Sequence, residues 1–373
     1  MPCKKVYVAA TSQHIGKTTS TLGLVRALKD AGHSVAYCKP VGQKFVDLGD
    51  LRADKDALLF SKVSGFTLDP DIHSPVILGK GATTEFLDNP EAFPFRERIL
   101  KASEILCQGH EIIVYEGTGH PGVGSVVGLS NADVAKLLDA PVVMVVQGGV
   151  GNTLDKLNMS LSLFREKNVE ILGVIVNKVI PEKMDMVKHY VGMGLDKMGL
   201  NLLGVLPYDK TLMYPIMATI RRVVDGKVLF NEDNLNNRVE EILPASLIET
   251  DKIDHFANIL LLSSIKRIDK AINQIKEVAS QKNIKELPIS GIILTGEDAD
   301  AVEKYYKLFF KEAEYIESLG IPVITTKLDT LGVVIKINRI EVKINIRTPW
   351  KSDRAVELIK QHVDLNKLID MLG

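Results

Sequence analysis

Near the N-terminus, the uncharged run Val6-Tyr7-Val8-Ala9-Ala10 leads into Thr11-Ser12-Gln13-His14-Ile15-Gly16-Lys17-Thr18-Thr19. The order is a buried strand, a short loop and the first turn of a helix, and few folds accommodate it. Backbone N–H groups of such a loop and of the helix N-terminus converge on one point, where an anion satisfies them and the helix dipole favours it. Gly16 lets the backbone approach that anion, Lys17 supplies a point charge, and the Thr18 hydroxyl is a ligand for a magnesium ion. The full phosphate-loop pattern has a second glycine where this chain carries Thr11.

Strand-helix alternation then repeats along the chain. A helix from Lys17 to about Ala31 puts Leu22, Val25 and Leu28 on one stripe, and Gly32 ends it. The second strand, Ser34 to Cys38, runs into Lys39-Pro40-Val41-Gly42. In an open parallel sheet ligands sit beyond the strand C-terminal ends, so Lys39 is placed to meet one; the alternative is a solvated lysine before a turn proline. Helices are expected near Asp54–Val63 and Phe95–Cys107. Asp54 and Asp56 open the first of these, either as metal-binding carboxylates or as first-turn acids that complement the dipole. The third strand, Glu111 to Tyr115, delivers Glu116 and a glycine-rich loop, the arrangement that holds Mg²⁺ from its second side. His120 in that loop is a base, a phosphate contact or simply exposed.

Further strands at Pro141–Gln147, Glu170–Val176 and Leu202–Leu206, with helices at Asn131–Asp139 and Thr153–Lys167, complete six strands. They specify a doubly wound, mostly parallel α/β sheet. Asn177, just past the fifth strand, has an amide able to donate to and accept from a purine edge, or it forms a turn.

At 373 residues the chain has room for two or three domains. We expect a P-loop nucleotide-binding domain over 1–210, a connector over 211–245 with a helix near Asn236–Ile242, and a small α/β domain over 246–373. In that last part the pattern predicts strands at Asn258–Ser263, Ile289–Thr295 and Pro322–Thr326, and helices at Lys266–Ser280 and Ala299–Leu319. It also predicts β-structure over Gly332–Lys343 and two short helices from Ser352 onward. His255 and His362 have no metal-ligand spacing, so binding or dimerisation is the expected role there. The 46 basic and 47 acidic residues almost cancel, which removes the bulk electrostatic case for nucleic acid or an anionic membrane. The apolar runs are too short for a signal peptide or a bilayer span, and Cys3, Cys38 and Cys107 form no C-x-x-C pair. Reduced thiols and a cytoplasmic setting are expected.

With Thr11 to Thr19, Lys39-Pro40-Val41, Asp56-Ala57-Leu58, Glu116-Gly117 and Asn177 in place, the first part of the chain resembles dethiobiotin synthetase and the ATP-binding part of cobyrinic acid a,c-diamide synthases. Over its whole length it resembles the N-terminal regulatory region of long bacterial phosphotransacetylases, in which such a domain precedes a small α/β domain named for D-R-T-G-G. Ser130-Asn131-Ala132-Asp133-Val134-Ala135-Lys136 and Leu203-Gly204-Val205-Leu206-Pro207 look like that group. The resemblance implies ATP and Mg²⁺, with Lys17 on the β- and γ-phosphates and Thr18, Asp56 and Glu116 around the metal. It also implies Lys39 stabilising an acyl-phosphate or carbamate-like group, Asn177 reading adenine, and a homodimer. The chain departs from it in carrying His14 where the synthetases have an acid, in Thr118 and His120 within the glycine-rich turn, and in Ser264-Ile265-Lys266-Arg267 in place of D-R-T-G-G. Partitioning-type ATPases need a second lysine where this chain has Ser12. The expected functions are therefore ATP-dependent phosphoryl transfer to a small carboxylate or carbamate, or a nucleotide-sensing regulatory module. The sensor reading draws on what is not expected of this chain: a glutaminase nucleophile, since no cysteine follows Cys107, and a phosphotransacetylase catalytic domain.

Overall fold

The computed structural model describes residues 3–48, 51–248 and 256–373. It divides into two compact units, one formed by residues 1–209 with 344–373, the other by 210–343. In the first unit the strands are β1 (Lys4–Ala10), β2 (Val35–Cys38), β3 (Ile112–Glu116), β4 (Val142–Gln147), β5 (Ile171–Val179) and β6 (Leu202–Pro207). They form one sheet in the order β6-β5-β4-β1-β3-β2, with every neighbouring pair parallel. This is the doubly wound parallel sheet expected from the strand pattern. Val142 to Val146 are almost completely buried, as an uninterrupted apolar strand requires when helices cover both faces. The order turns back beside β1, so the loops after β1 and β3 face a common crevice.

The helices of this unit include α1 (Lys17–Asp30), α2 (Lys55–Ser64), α3 (Phe95–Gly109), α4 (Asn131–Leu137), α5 (Gly151–Glu166) and α6 (Met184–Lys197), with two short ones, Pro70–His73 and Ala82–Asp88, between α2 and α3. A hairpin of Phe45–Leu48 and Leu51–Asp54, absent from the sequence expectations, leads into α2. The fifth strand is longer than expected, so Asn177 and Lys178 lie within it. Two more helices, α7 (Pro349–His362) and α8 (Leu365–Met371), belong to this unit and not to the second. Ser352, Ala355, Val356 and Ile359 of α7 recur at helical spacing and are buried. Arg354 Nε donates to Asp209 Oδ2 at 2.6 Å, Lys360 pairs with Asp30 at 2.7 Å, and Asp364 N donates to Leu203 O at 2.9 Å.

The second unit holds a five-stranded sheet in the order Lys227–Phe230, Val323–Thr326, Ile289–Thr295, Ile259–Ser263, Glu241–Pro244. Only the first of these is antiparallel to its neighbour. Alternate side chains enter two cores. Ile259, Leu261, Ile292 and Leu294 pack with the helix Ile268–Gln281, whereas Leu260, Leu262, Ile293 and Ile324 pack with Met217, Ile220, Val333 and Ile337. The stretch expected as a connector therefore supplies two strands and the helix Met217–Val223.

Three local expectations give way to tertiary packing. The helix near Asn236–Ile242 is instead the strand Glu241–Pro244, whose backbone pairs with Ile259–Ser263. The β-structure over Gly332–Lys343 is instead the helix Thr330–Asn338. Asp329 caps it by accepting from Gly332 N at 2.7 Å, and burial of Val333 and Ile337 overrides the strand preference of a β-branched run. The helix Ala299–Leu319 is broken into Ala299–Phe309 and Ala313–Ser318, with Asp269 accepting from Lys311 N and Glu312 N at the break. His362 closes α7 in the first unit, and His255 lies outside the described residues. Among the described residues no helix is long and apolar enough to cross a membrane.

Close approach of α7 to α1 depends on Gly23. A Cβ at that position would meet Ile359 Cγ1 at 2.4 Å and Ala355 O at 2.7 Å, and the backbone oxygen cannot swing aside. Gly23→Ala is expected to destabilise the protein by about 1–3 kcal/mol through overpacking, read from the urea midpoint.

Candidate functional site

β1 ends at Ala10, and the loop Thr11–Gly16 carries the chain over the top of the sheet, with Thr11 N donating to Val145 O of β4 at 3.3 Å. Ser12 is half-buried in this loop and Gln13 is exposed. Ile15 turns inward and is 2 % exposed, anchoring the loop to the core. His14 and Gly16 have φ of 63° and 93°, so the loop folds back on itself twice before α1 begins. Lys17, Thr18 and Thr19 form the first turn of α1. No side chain caps that turn and no acid lies within it, which leaves its N–H groups and the positive end of the dipole directed at the crevice.

Glu116 closes the other side. Its carboxylate is 0 % exposed at the tip of β3 and accepts from three side chains. Thr18 Oγ1 donates to Oε1 at 2.6 Å, Lys17 Nζ approaches Oε1 at 3.4 Å, and Tyr37 Oη donates to Oε2 at 2.9 Å. Lys17 also donates to the carbonyl of Gly117. Burial pushes the Lys17 ammonium below its ordinary value, and Glu116 opposes that drift. Tyr37 is held as a phenol well above its ordinary range by burial and by the neighbouring Glu116 charge. Its ring stacks on Phe60 of α2 with centroids 3.6 Å apart. The sequence signal for Tyr37 is faint: it is an aromatic residue on β2, two positions before Lys39 on the same face.

Lys39 is buried at the end of β2 between two acids. Asp54 Oδ1 lies 3.1 Å from its Nζ, and Asp56 Oδ2 makes a closer bond with it. Burial alone would depress this ammonium, but the carboxylates of Asp56, Asp54 and Glu116 override it and keep the lysine charged beyond its ordinary range. Asp54 stands at the start of α2, where the sequence placed an acid that complements the helix dipole. It caps α2 by accepting from Asp56 N at 2.8 Å, and the same oxygen faces Lys39; its Oδ2 is buried without a partner. Burial raises the Asp54 carboxyl above the usual carboxylate range despite the lysine. Among the described residues, no three acidic, histidine or cysteine side chains form a metal-binding group.

The loop after β3 is organised by Asn131, a residue that nothing in its local sequence singles out. Its Oδ1 accepts from Tyr7 Oη at 2.8 Å and Thr118 N at 2.9 Å; its Nδ2 donates to Thr118 O at 2.9 Å and His120 O at 2.7 Å. Three of these four bonds hold the turn that follows Glu116, and the fourth ties it to β1. Thr118 Oγ1 donates to Val41 O, joining this turn to the segment after Lys39. His120 is exposed, and its Nδ1 accepts from Gly122 N at 3.2 Å within its own loop. Asn177 Nδ2 donates to Ile15 O at 2.7 Å, so this amide lies against the phosphate loop.

A family model described as an AAA domain matches residues 4–215, more than half of the chain. A phosphate acetyltransferase from Nitratidesulfovibrio vulgaris is 22 % identical over 370 residues, covering 97 % of this chain and 51 % of the relative. A hydrogenobyrinate a,c-diamide synthase from Brucella ovis is 33 % identical over 215 residues, covering 57 % of this chain and 42 % of the relative. The chain thus spans about half the length of the curated relatives it matches. Among solved structures, the MinC:MinD cell division complex of Aquifex aeolicus aligns at a TM-score of 0.36 and 14 % identity, over 57 % of this chain and 84 % of that one.

Lys39 is the counter-charge of a fully buried Asp54, so Lys39→Met is expected to cost about 3–5 kcal/mol, with Asp54→Asn in the same background restoring part of it. The sign of the pH dependence is set by burial. Without the lysine, the Asp54 carboxyl titrates far above its unfolded value, so the variant loses stability as pH rises beyond about 4. Its urea midpoint is expected to be lower at about pH 7 than at about pH 5.

Proposed function

The chain belongs to the P-loop family described as an AAA domain, and on that footing we propose that it binds magnesium-ATP at the C-terminal ends of β1 and β3 and uses it to phosphorylate a carboxylate or carbamate-type substrate. The observation that carries this reading is the meeting of Lys17, Thr18 and Glu116 at an uncapped helix N-terminus. The residues fit the group. Gly16 has a positive φ, and a Cβ there would collide with Asn177, as a loop closing tightly on phosphates requires. Thr18 and Glu116 supply hard oxygen donors, and a magnesium site needs only one or two protein carboxylates when phosphates and waters complete it.

In this reading Lys17 and the first-turn N–H groups would neutralise the β- and γ-phosphates, and Thr18 and Glu116 would hold the ion; Asp56, which the resemblance adds to that set, pairs with Lys39 in this structure. A bound magnesium ion would withdraw charge from the transferring phosphoryl group. Lys39 stabilises the negative charge that builds on the acceptor, held protonated for that task by Asp54 and Asp56. Tyr37 and Asn131 keep Glu116 and its loop in place.

A second reading, a nucleotide-sensing regulatory module, draws on two observations. The alignment with phosphate acetyltransferase runs through both units, and the charge of Lys39 is already matched inside the protein. Both readings require the loop: Lys17→Ala is expected to lower Mg-ATP affinity by about a hundredfold or more in calorimetry. Undiminished affinity would refute the assignment. The readings separate at Lys39→Ala. Phosphoryl transfer predicts that ADP formation with a panel of small carboxylates falls by about two to three orders of magnitude while ATP still binds. A sensor predicts no substrate-stimulated ADP formation in either protein.

A further inference from the structure

We propose that Cys3 and Cys107 form a modification site: a thiol pair that exchanges with small-molecule disulfides and closes into a disulfide, stapling the start of β1 to the last turn of α3. Their meeting follows from the topology. A helix that connects two parallel strands runs back across the sheet, so α3 ends where β3 begins, at the N-terminal ends of the strands. Lys4 N donates to Glu111 O at 2.8 Å, which sets the start of β1 beside that same point. Tyr7 and Ala9 of β1 enter the core with Ile99 and Leu106 of α3, and Cys3, in step with them along the strand, packs against that core as Cys107 does. The two thiols are hydrogen-bonded to one another, and Cys3 Sγ also lies 3.8 Å from Lys4 O. Cys38 stands apart. Its register puts it beside Tyr115, whereas Cys3 precedes the pairing of Lys4 with Ile112, a separation of about 13 Å along the strands at about 3.3 Å per residue. A disulfide needs Cα atoms within about 7 Å of each other.

Cys3 and Cys107 are half-buried, so a small disulfide reaches them from solvent, while Cys38 is sealed in the core. Burial, the hydrogen bond and the charge of the neighbouring thiolate push the Cys3 thiol up to about 12. Cys3 therefore keeps its proton at neutral pH, and Cys107 is the sulfur that attacks first. The Cys107 thiolate displaces one half of the reagent as a thiolate, and the other half stays on Cys107 as a mixed disulfide. With the Cys107 charge gone, Cys3 gives up its proton and attacks Cys107 Sγ, expelling the second half. Both halves leave as thiols carrying the two protons of the cysteines; the reagent is reduced by two electrons and the protein gains one S–S bond. The pair lies at the opposite end of the strands from the crevice, so this chemistry stands apart from the nucleotide reading.

Oxidised glutathione is the probe, added to the whole native protein. The thiol count in denaturant is expected to fall from three to one, and the intact protein to lose the mass of two hydrogen atoms. Peptide mapping is expected to find Cys3 joined to Cys107, with Cys38 still open to alkylation. Cys3→Ser removes the resolving sulfur and is expected to hold one glutathionyl group on Cys107, whereas Cys107→Ser is expected to leave Cys3 unmodified. The oxidised wild type is expected to unfold at a higher urea concentration than the reduced protein and to return to the lower midpoint with dithiothreitol, since the bridge constrains the unfolded chain. The wild-type measurements keep the test open where a serine variant fails to fold. Three thiols remaining after oxidation, a bridge that includes Cys38, or a glutathionyl group that persists on wild-type Cys107 would overturn the pair. A urea midpoint lowered by oxidation would do the same, because the bridge would then form only by pulling the native sulfurs out of place.

Discussion

A carboxylate at zero exposure is costly to hold unless every lone pair is engaged, and Glu116 is held by a hydroxyl, a phenol and an ammonium drawn from α1 and β2. That constraint orders the top of the sheet. Thr18 and Lys17 reach Glu116 only if α1 starts where it does, which in turn requires the backward folds at His14 and Gly16. Tyr37 reaches it only if β2 pairs with β3 in the observed register, with Cys38 beside Tyr115. The stacking of Tyr37 on Phe60 then fixes where α2 lies, and α2 carries the acids that surround Lys39.

The charges of Lys17, Lys39, Asp54, Asp56 and Glu116 are apportioned unevenly over the site. Lys17 faces one carboxylate and a backbone carbonyl, a set that leaves it able to exchange partners at modest cost. Lys39 faces two carboxylates and is nearly removed from solvent, so its proton is secured and its position is fixed. One is suited to meeting an incoming anion, the other to maintaining a steady field.

The parallel sheet and the crevice over β1 and β3 were legible because long apolar strands alternating with amphipathic helices admit few arrangements. Lys17, Thr18, Lys39, Asp54, Asp56 and Glu116 were legible as candidates, since each stands at a strand end or in the first turn of a helix. The structure brings Thr18 to Glu116 and Lys39 to Asp54 and Asp56, but leaves His120 exposed in its own loop. Tyr37 and Asn131 were not legible, because what singles them out is a hydrogen bond formed across distant segments, and their local context is an ordinary strand and helix. The helix at Thr330–Asn338 was misread for a related reason: Val333 and Ile337 are buried by tertiary packing that no local window contains. The boundary between units was obscured in the same way, since the partners of α7 on α1 lie more than three hundred residues earlier in the chain.

That return of the chain has a consequence for synthesis. The first sheet has all its strands once Pro207 is made, yet the face of α1 around Gly23 stays bare until α7 emerges at the far end. On a ribosome adding about 5–20 residues per second, an apolar helical surface waits for many seconds while the whole second unit is translated. The second unit is thus inserted between two parts of the first in sequence, tied to it by two peptide connections, and the α1 face is covered only after that whole unit has been made.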